Sequence, residues 1–366
     1  MNKINLIHIK NFKSIVNILM NDISDFSIFA GANGVGKSNI FEAIEFFKTI
    51  VQFGAVTAIK KYGGYDNIHS RKMRKENARK FLFEIDIDID RNYHYKLEVF
   101  SLDEDPYLKE IFKIDGKIVA KRDKDDISLS NTPLDINFLK EQTVLNLISK
   151  ESKVFLDFIK ATKRYTIDPN LAREPDDFTS EIILEKDASN ITTVLSNIEK
   201  NNSEDVEEII ETMQLLIPNL EKISIRKEKL INKMVSTFKE HGSKSTFPAR
   251  LVSDGTIYAL SILAIIYSNN NGIIMIEEPE RGLHPKAISE LVEFFRQKSE
   301  QYPIFINTHN EAIIKKAKPN ELFIISKEDG QTKLFNILQK FPKLDYKIMD
   351  LNEMWLSNVF GKGLPW

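Results

Sequence analysis

The chain has 366 residues, 42% of them hydrophobic and 28% charged, with 51 Lys and Arg against 53 Asp and Glu for a net charge of −2. That balance supplies one large or two modest cores and excludes a globally basic nucleic-acid binder, so only a local basic patch is left to meet phosphate. The absence of cysteine excludes disulfides, thiolate zinc sites, a cysteine nucleophile and a Cys-x-x-Cys zinc hook.

The opening MNKINLIHIKNFKSI alternates apolar and polar residues with charges throughout, unlike a signal peptide. The longest apolar run, near YALSILAIIY, is too short to cross a bilayer, so a cytoplasmic chain with no membrane contact is expected. INLIHIKNF and FSIFAG read as two strands separated by turn residues around NDISD. After Ser38, residues Ile40, Ile44, Phe47 and Val51 recur at helical spacing, so GANGVGKS (31–38) joins a strand to a helix. FLFEIDIDIDRNYHYKLEVF (81–100) predicts an antiparallel hairpin with one wet face and a turn near Asp90 to Asn92. YLKEIFKIDGKIVA predicts another, with Asp115-Gly116 as its turn. The charged stretch 121–136 is expected to be a surface loop, and 137–240 mainly helical until KISIRKEKLINKMVSTFKEHG returns to strand-like alternation. From Leu251 to ELFIIS, helices alternate with continuous apolar strands, which means a parallel sheet buried on both faces. The expected organisation is an α/β fold with mixed and parallel sheets: an N-terminal lobe (1–136), a mainly helical insert (137–240) and a C-terminal lobe (241–366). No heptad run is long enough for a coiled-coil arm, and no internal repeat is visible.

GANGVGKS fits GxxxxGK followed by Ser. In such a loop the backbone N–H groups of Gly31, Ala32, Asn33, Gly34, Val35 and Gly36 surround phosphate oxygens, and the helix start through Asn39 adds its positive end. Lys37 then reaches the β- and γ-phosphates and Ser38 ligates Mg²⁺. The plain alternative, a glycine-rich turn with an incidental lysine, fits poorly with the flanking strand and helix and with GIIMIEEPE. That segment ends a buried strand in Glu277 and Glu278, at the sheet edge where open α/β folds bind ligands. One carboxylate can hold the metal while the next faces the attacking water as general base; the bland reading is two surface glutamates opening a loop. Glu277 stands where Asp is usual. LVSDGT opens a helix with Ser253 or Asp254 as N-cap, either presenting donors to an anion or merely capping the helix. PIFINTHN ends a strand at Thr308-His309, where His309 is a structural residue or a contact to γ-phosphate or the lytic water.

These elements, in this order, resemble the P-loop NTPase heads of the ABC-type ATPases of the RecF, SMC and OLD group: IKNFKSI near the start, GANGVGKS as Walker A, LVSDGT as a signature variant, IIMIEEPERGLHP as Walker B and D-loop, and INTHN as H-loop. The resemblance runs from residue 1 to about 325. It implies ATP and Mg²⁺ as cofactors and an ATP-dependent homodimer in which Ser253 and Gly255 of one subunit face the γ-phosphate held by the other's Lys37. It further implies Glu278 as catalytic base, Glu277 as metal-side acid, His309 as γ-phosphate sensor, Gly282 to His284 in a trans D-loop, and Lys13 and Ser14 near the adenine. Gln142 and Gln52 are the candidates for the Q-loop glutamine, neither in a firm motif. The short insert and the ending LNEMWLSNVFGKGLPW also resemble compact AAA-type ATPases of anti-phage systems, which act beside a separate TOPRIM-like nuclease or other effector. The sequence therefore reads as an ATP-hydrolysing switch. The alternative is a repair or recombination ATPase that clamps double-stranded DNA, for which the basic stretch KKYGGYDNIHSRKMRKENARK (60–80) is the local support. A non-hydrolysing scaffold is opposed by the intact Glu278 and His309. Trp355, Leu364, Pro365 and Trp366 either pack on the core or form a docking edge.

Overall fold

Strands rich in β-branched and aromatic residues build two large sheets around the helix that follows the glycine loop. The computed structural model describes residues 2–72, 79–130, 132–134, 140–177, 183–268 and 271–361. The first sheet has eight strands, in the order Ile15–Asn21, Lys3–Phe12, Phe81–Asp88, Asn92–Phe100, Tyr107–Ile114, Lys117–Asp123, Asp126–Leu129 and Thr132–Leu134, all paired antiparallel. Its alternation is clean: Tyr93, Tyr95, Leu97 and Val99 point into the core while Asn92, His94, Lys96 and Glu98 do not. Both expected hairpins are present, and Asp115 (φ 49°) and Gly116 (φ 75°) make the left-handed pair that a tight hairpin turn requires.

Ile15–Asn21, a stretch to which no element was assigned from sequence, is a further strand paired with Lys3–Phe12 at the sheet edge. One expectation for this sheet is corrected. The stretch 121–136 is not simply a surface loop, because Asp126–Leu129 and Thr132–Leu134 continue the sheet to its other edge. Charges at an edge strand discourage pairing with other chains, and they make such a strand look like loop in sequence.

The second sheet holds the site. Its order is Lys163–Tyr165, Ile274–Glu277, Ile304–Thr308, Phe26–Ala30, Leu322–Glu328, Gln331–Asn336, with the first five parallel and the last antiparallel. Phe26–Ala30 and Ile304–Thr308 are buried along their whole length, as continuous apolar strands between two helical layers must be. Helix Lys37–Phe53 lies between the two sheets: Phe47 stacks on Phe83 of the first (ring centroids 4.0 Å apart), and Phe41 meets Phe29 of the second edge-on at 5.5 Å. On the opposite face, helix Asp254–Tyr267 is buried continuously from Gly255 to Ile266, and Ile191–Asn201, Ser203–Leu216 and Pro285–Lys298 pack around it in the second core.

The region expected to be a mainly helical insert is woven into this plan. Beside helices such as Lys153–Ala161 it contributes Lys163–Tyr165 to the central sheet, and its strands Asp176–Asp177, Leu220–Glu228 and Lys233–Glu240 form a small third sheet with Phe247–Pro248. A three-residue strand is too short to leave a period in the sequence. Trp355 packs into the core beside Leu351 and Met354, while Leu364, Pro365 and Trp366 lie outside the described residues. Among the described residues, no helix is long and apolar enough to cross a membrane.

Candidate nucleotide site

Five parallel strands bring their carboxyl ends to one edge, the place where open α/β sheets bind ligands. The Gly31–Ser38 loop leaves Phe26–Ala30 at this edge. Gly31 donates to the Thr308 carbonyl at 3.3 Å, and a Cβ there would run into the Ile325 carbonyl oxygen. Gly36 has φ 103° and would meet the Thr332 hydroxyl, so both positions need glycine for room and one also for backbone shape. The loop is held by a chain of hydroxyls. Asn39 donates to Ser14 at 2.6 Å, Ser14 and Thr332 lie 2.6 Å apart, and Thr332 donates to the Val35 carbonyl at 2.8 Å. Because that carbonyl only accepts, the proton between Ser14 and Thr332 belongs to Ser14.

Lys37 turns back onto its own loop and donates to the Gly31 and Ala32 carbonyls at 2.8 and 2.9 Å. Burial lowers its pKa below the ordinary lysine value, against the pull of Glu278, Glu280 and Glu277. Ser38 donates to Glu277 Oε2 at 3.3 Å across 239 residues of sequence. Glu278 has φ 48°, strained for a non-glycine residue, and its N–H is shared between the Asn307 carbonyl (3.0 Å) and Asn307 Oδ1 (3.3 Å). Its carboxylate lies 3.3 Å from His309 Nδ1, with both side chains about half exposed. Glu280 is buried and accepts from Thr308 at 2.6 Å, and burial pushes its carboxyl up to about 7. Among the described residues, Glu280 Oε2 and Asn307 Nδ2 are buried without a hydrogen-bond partner. Polar atoms left unpaired at a site mouth are ready to meet a ligand or water.

The Asp254–Tyr267 helix reaches the same region from the other core. Ser253 is its N-cap, accepting from Thr256 N–H at 3.2 Å, and Asp254 is held by Arg173 at 2.6 Å. Ser253 and Asp254 remain exposed, whereas Gly255 is buried against Gly282 so closely that a Cβ would strike the Gly282 carbonyl. Tyr258 donates to the Glu277 carbonyl at 2.9 Å, tying this helix to the acid strand. His284 caps the next helix by accepting from Lys286 N–H at 3.3 Å. Lys13 reaches Glu42 at 2.5 Å and, with Ser14, Asp66, Asn67, His69 and Arg71, lines a cavity of about 320 Å³ beside the loop.

The two glutamines considered for the Q-loop are both misplaced. Gln52 lies 15 residues along the helix from Lys37, roughly 22 Å of rise, and Gln142 donates to the Phe53 carbonyl at that same far end.

The donor set fits a Mg²⁺-nucleotide: hydroxyl and carboxylate oxygens side by side at Ser38 and Glu277, a loop with no space for side chains at Gly31 and Gly36, and an ammonium on loop carbonyls that phosphate oxygens can replace. A family described as "AAA domain, putative AbiEii toxin, Type IV TA system" matches residues 26–315, most of the chain and all of these elements. The chain belongs to that family. An "ATP/GTP phosphatase" of Helicobacter pylori is 22% identical to it over 91% of this chain and 92% of that protein. An uncharacterized protein of Methanocaldococcus jannaschii is 31% identical over 29% of this chain and 28% of its own. In fold, the AAA domain resembles an Smc head solved with the C-winged helix domain of ScpA, with TM-score 0.59, 15% identity, and 93% and 99% of the two chains covered. It also resembles an Smc head from a complex derived from Pyrococcus furiosus, with TM-score 0.53, 15% identity, and 95% and 100% covered.

Four residues of this AAA domain's site were not singled out from sequence. Thr332 stands on Gln331–Asn336, a strand that the turn Asp329-Gly330 announces once the hairpin signal is heeded. Asn307 and Glu280 flank residues that were named, and their neighbours gave the only signal. Arg164, described below, left none.

Proposed function

We propose that this AAA domain is an ATP-hydrolysing switch in which two copies close on ATP and Mg²⁺, and that it regulates a separate effector, a TOPRIM-like nuclease or other toxic protein, in anti-phage defence. The observation that carries the reading is the convergence of Lys37, Ser38, Glu277, Glu278 and His309 at the carboxyl ends of neighbouring parallel strands. The family description and the relative named as an ATP/GTP phosphatase support it. Lys37 would leave its loop carbonyls for the β- and γ-phosphates, and Ser38 and Glu277 would hold Mg²⁺, which would supply charge to offset that of the phosphates. Glu278, oriented by its strained backbone and by His309, accepts a proton as water oxygen bonds to the γ-phosphorus. The bond to the bridging oxygen breaks, and ADP departs with that electron pair. The exposed Ser253 end would meet the γ-phosphate of a second copy.

Phosphate release from Mg²⁺-ATP tests this directly. Glu278→Gln should keep ATP affinity, lose about 100-fold to 1,000-fold in turnover and accumulate as an ATP-bound dimer in light scattering. Unchanged turnover would place the base elsewhere, and wild-type protein that neither binds nor cleaves ATP would end the reading.

A second reading, a clamp on double-stranded DNA, draws on the likeness in fold to SMC heads and on the exposed Arg71, Lys72, Arg79 and Lys80; residues 73–78 of that stretch lie outside the described residues. Duplex binding that weakens steeply with salt favours the clamp. Nucleotide-dependent binding to a protein encoded next to this one, without affinity for duplex, favours the switch.

A further inference from the structure

The buried end of the site contains a cation that the motifs do not explain. Arg164 sits mid-strand in Lys163–Tyr165, opposite Met275 of the acid strand, and is 8% exposed. Its Nε donates to Glu277 Oε1 at 2.5 Å. Its Nη1 lies 3.4 Å from Glu42 Oε1 and 3.8 Å from Glu45 Oε2. Glu42 and Glu45 belong to the helix that Lys37 and Ser38 begin, with Glu42 one turn beyond Ser38. Glu42 also pairs with Lys13 at 2.5 Å and Glu45 with Lys186 at 3.7 Å, so three carboxylates and three cations balance. The carboxylate expected to face a metal thus already has a guanidinium on one oxygen and the Ser38 hydroxyl on the other.

We propose that Arg164 is a positioning residue that competes with the divalent cation for Glu277, holding the carboxylate while the metal is absent and withdrawing toward Glu42 and Glu45 when it arrives. The inference rests on the Mg²⁺-ATP reading of this site. A guanidinium and a divalent cation a few ångströms apart on one carboxylate repel each other strongly where burial thins the screening water. Stranding a buried guanidinium is equally unfavourable. Glu42 and Glu45 resolve the conflict, because they are acceptors already within 4 Å and the required movement is small. The glutamate at 277 suits the arrangement: an aspartate would draw the carboxylate back by one carbon, away from Arg164. Nucleotide binding then acquires a Mg²⁺ threshold set by Arg164, and the edge strand senses whether metal is in place.

The test is a Mg²⁺ titration of mant-ATP binding, read by fluorescence without turnover, on the full chain and three variants. Arg164→Gln should reach half-maximal binding at about tenfold lower Mg²⁺, and Arg164→Lys, which keeps the charge, should stay near wild type. Glu42→Gln/Glu45→Gln should need several-fold more Mg²⁺, because Arg164 loses its alternative acceptors. An unchanged or higher Mg²⁺ requirement in Arg164→Gln would overturn the proposal. If thermal unfolding shows that variant misfolded, the double glutamine variant decides, and an unchanged or lower requirement there overturns it. Wild-type binding of mant-ATP that ignores Mg²⁺ would overturn the reading of the site itself and the proposal with it. A Mg²⁺-dependent wild type with an unaffected Arg164→Gln sinks the proposal alone.

Discussion

Around the phosphate loop, charges are satisfied within the chain: Lys37 by loop carbonyls, Arg164 by Glu277, Glu42 and Glu45, and Lys13 by Glu42. At the head of the Asp254–Tyr267 helix the difference is exposure: Asp254 is paired with Arg173, but it and Ser253 face solvent and only Gly255 is tucked away. If the first region binds nucleotide as proposed, it must trade internal partners for ligand, and its occupancy is then a competition. The second presents a capped helix end to solvent, which costs nothing to keep and gains only when another surface covers it. The proposed switch would use both kinds of surface, one to respond to nucleotide and one to meet a second copy.

Lys37→Ala should break the first region most completely. The triphosphate would lose a buried ammonium worth about 3 kcal/mol in charge-assisted hydrogen bonds, or roughly 100-fold in affinity by mant-ATP titration. A loss below fivefold would mean that the loop does not hold phosphate. Gly255→Ala attacks the second region through its packing. The added methyl meets the Gly282 carbonyl, a backbone atom that can retreat only with its loop. A loss of about 1–3 kcal/mol in urea unfolding is expected, and an unchanged midpoint would show that the Gly282 loop yields freely.

Legibility in the sequence follows the range of each interaction. The glycine loop, the acid strand and the capped helix are contiguous motifs, so GANGVGKS, IIMIEE and LVSDGT could be read from their own residues. The hairpin between Phe81 and Phe100 was legible because buried and less buried side chains alternate from Phe83 to Asp88 and from Asn92 to Phe100. The missing parts depend on partners far away in the chain. Arg164 matters because Glu277 stands beside it, 113 residues later, and Thr332 matters because it closes on Val35 across 297 residues. The strand Asp126–Leu129, near the sheet edge, was hidden by the charges around it and by the exposure that keeps edges from pairing. Gln52 and Gln142 were considered for their type, and helix length alone removes them from the site.

Glu280 sharpens the comparison through pH, because it is a buried acid in the otherwise balanced first region. Its carboxyl is raised to about 7 from an ordinary 4.5, so the folded chain binds that proton more tightly than the unfolded chain does. The associated stability is fully present below about pH 4.5 and is lost as pH rises through 7. Glu280→Gln keeps an acceptor for Thr308 and removes the charge. The variant should gain on wild type across that window, by on the order of 3 kcal/mol at pH 8 in urea unfolding. Parallel pH profiles for the two proteins would show instead that Glu280 is solvated in solution.

The smallest expected change in stability is the most discriminating for the second region. Ser253 caps its helix through the Thr256 N–H, and glycine is nearly as good a cap, so Ser253→Gly should cost only a few tenths of a kcal/mol in monomer stability. If capping were the hydroxyl's whole purpose, ATP-dependent association of the Glu278→Gln background would survive the change. If the hydroxyl faces a γ-phosphate held by a second copy, association measured by light scattering should weaken about tenfold, the effect of one lost charge-assisted hydrogen bond. Mant-ATP binding to the monomer should stay unchanged, since the Lys37 loop is built without Ser253. A drop in monomer affinity equal to the drop in association would place Ser253 against the nucleotide of its own chain and remove the reason for two copies to meet.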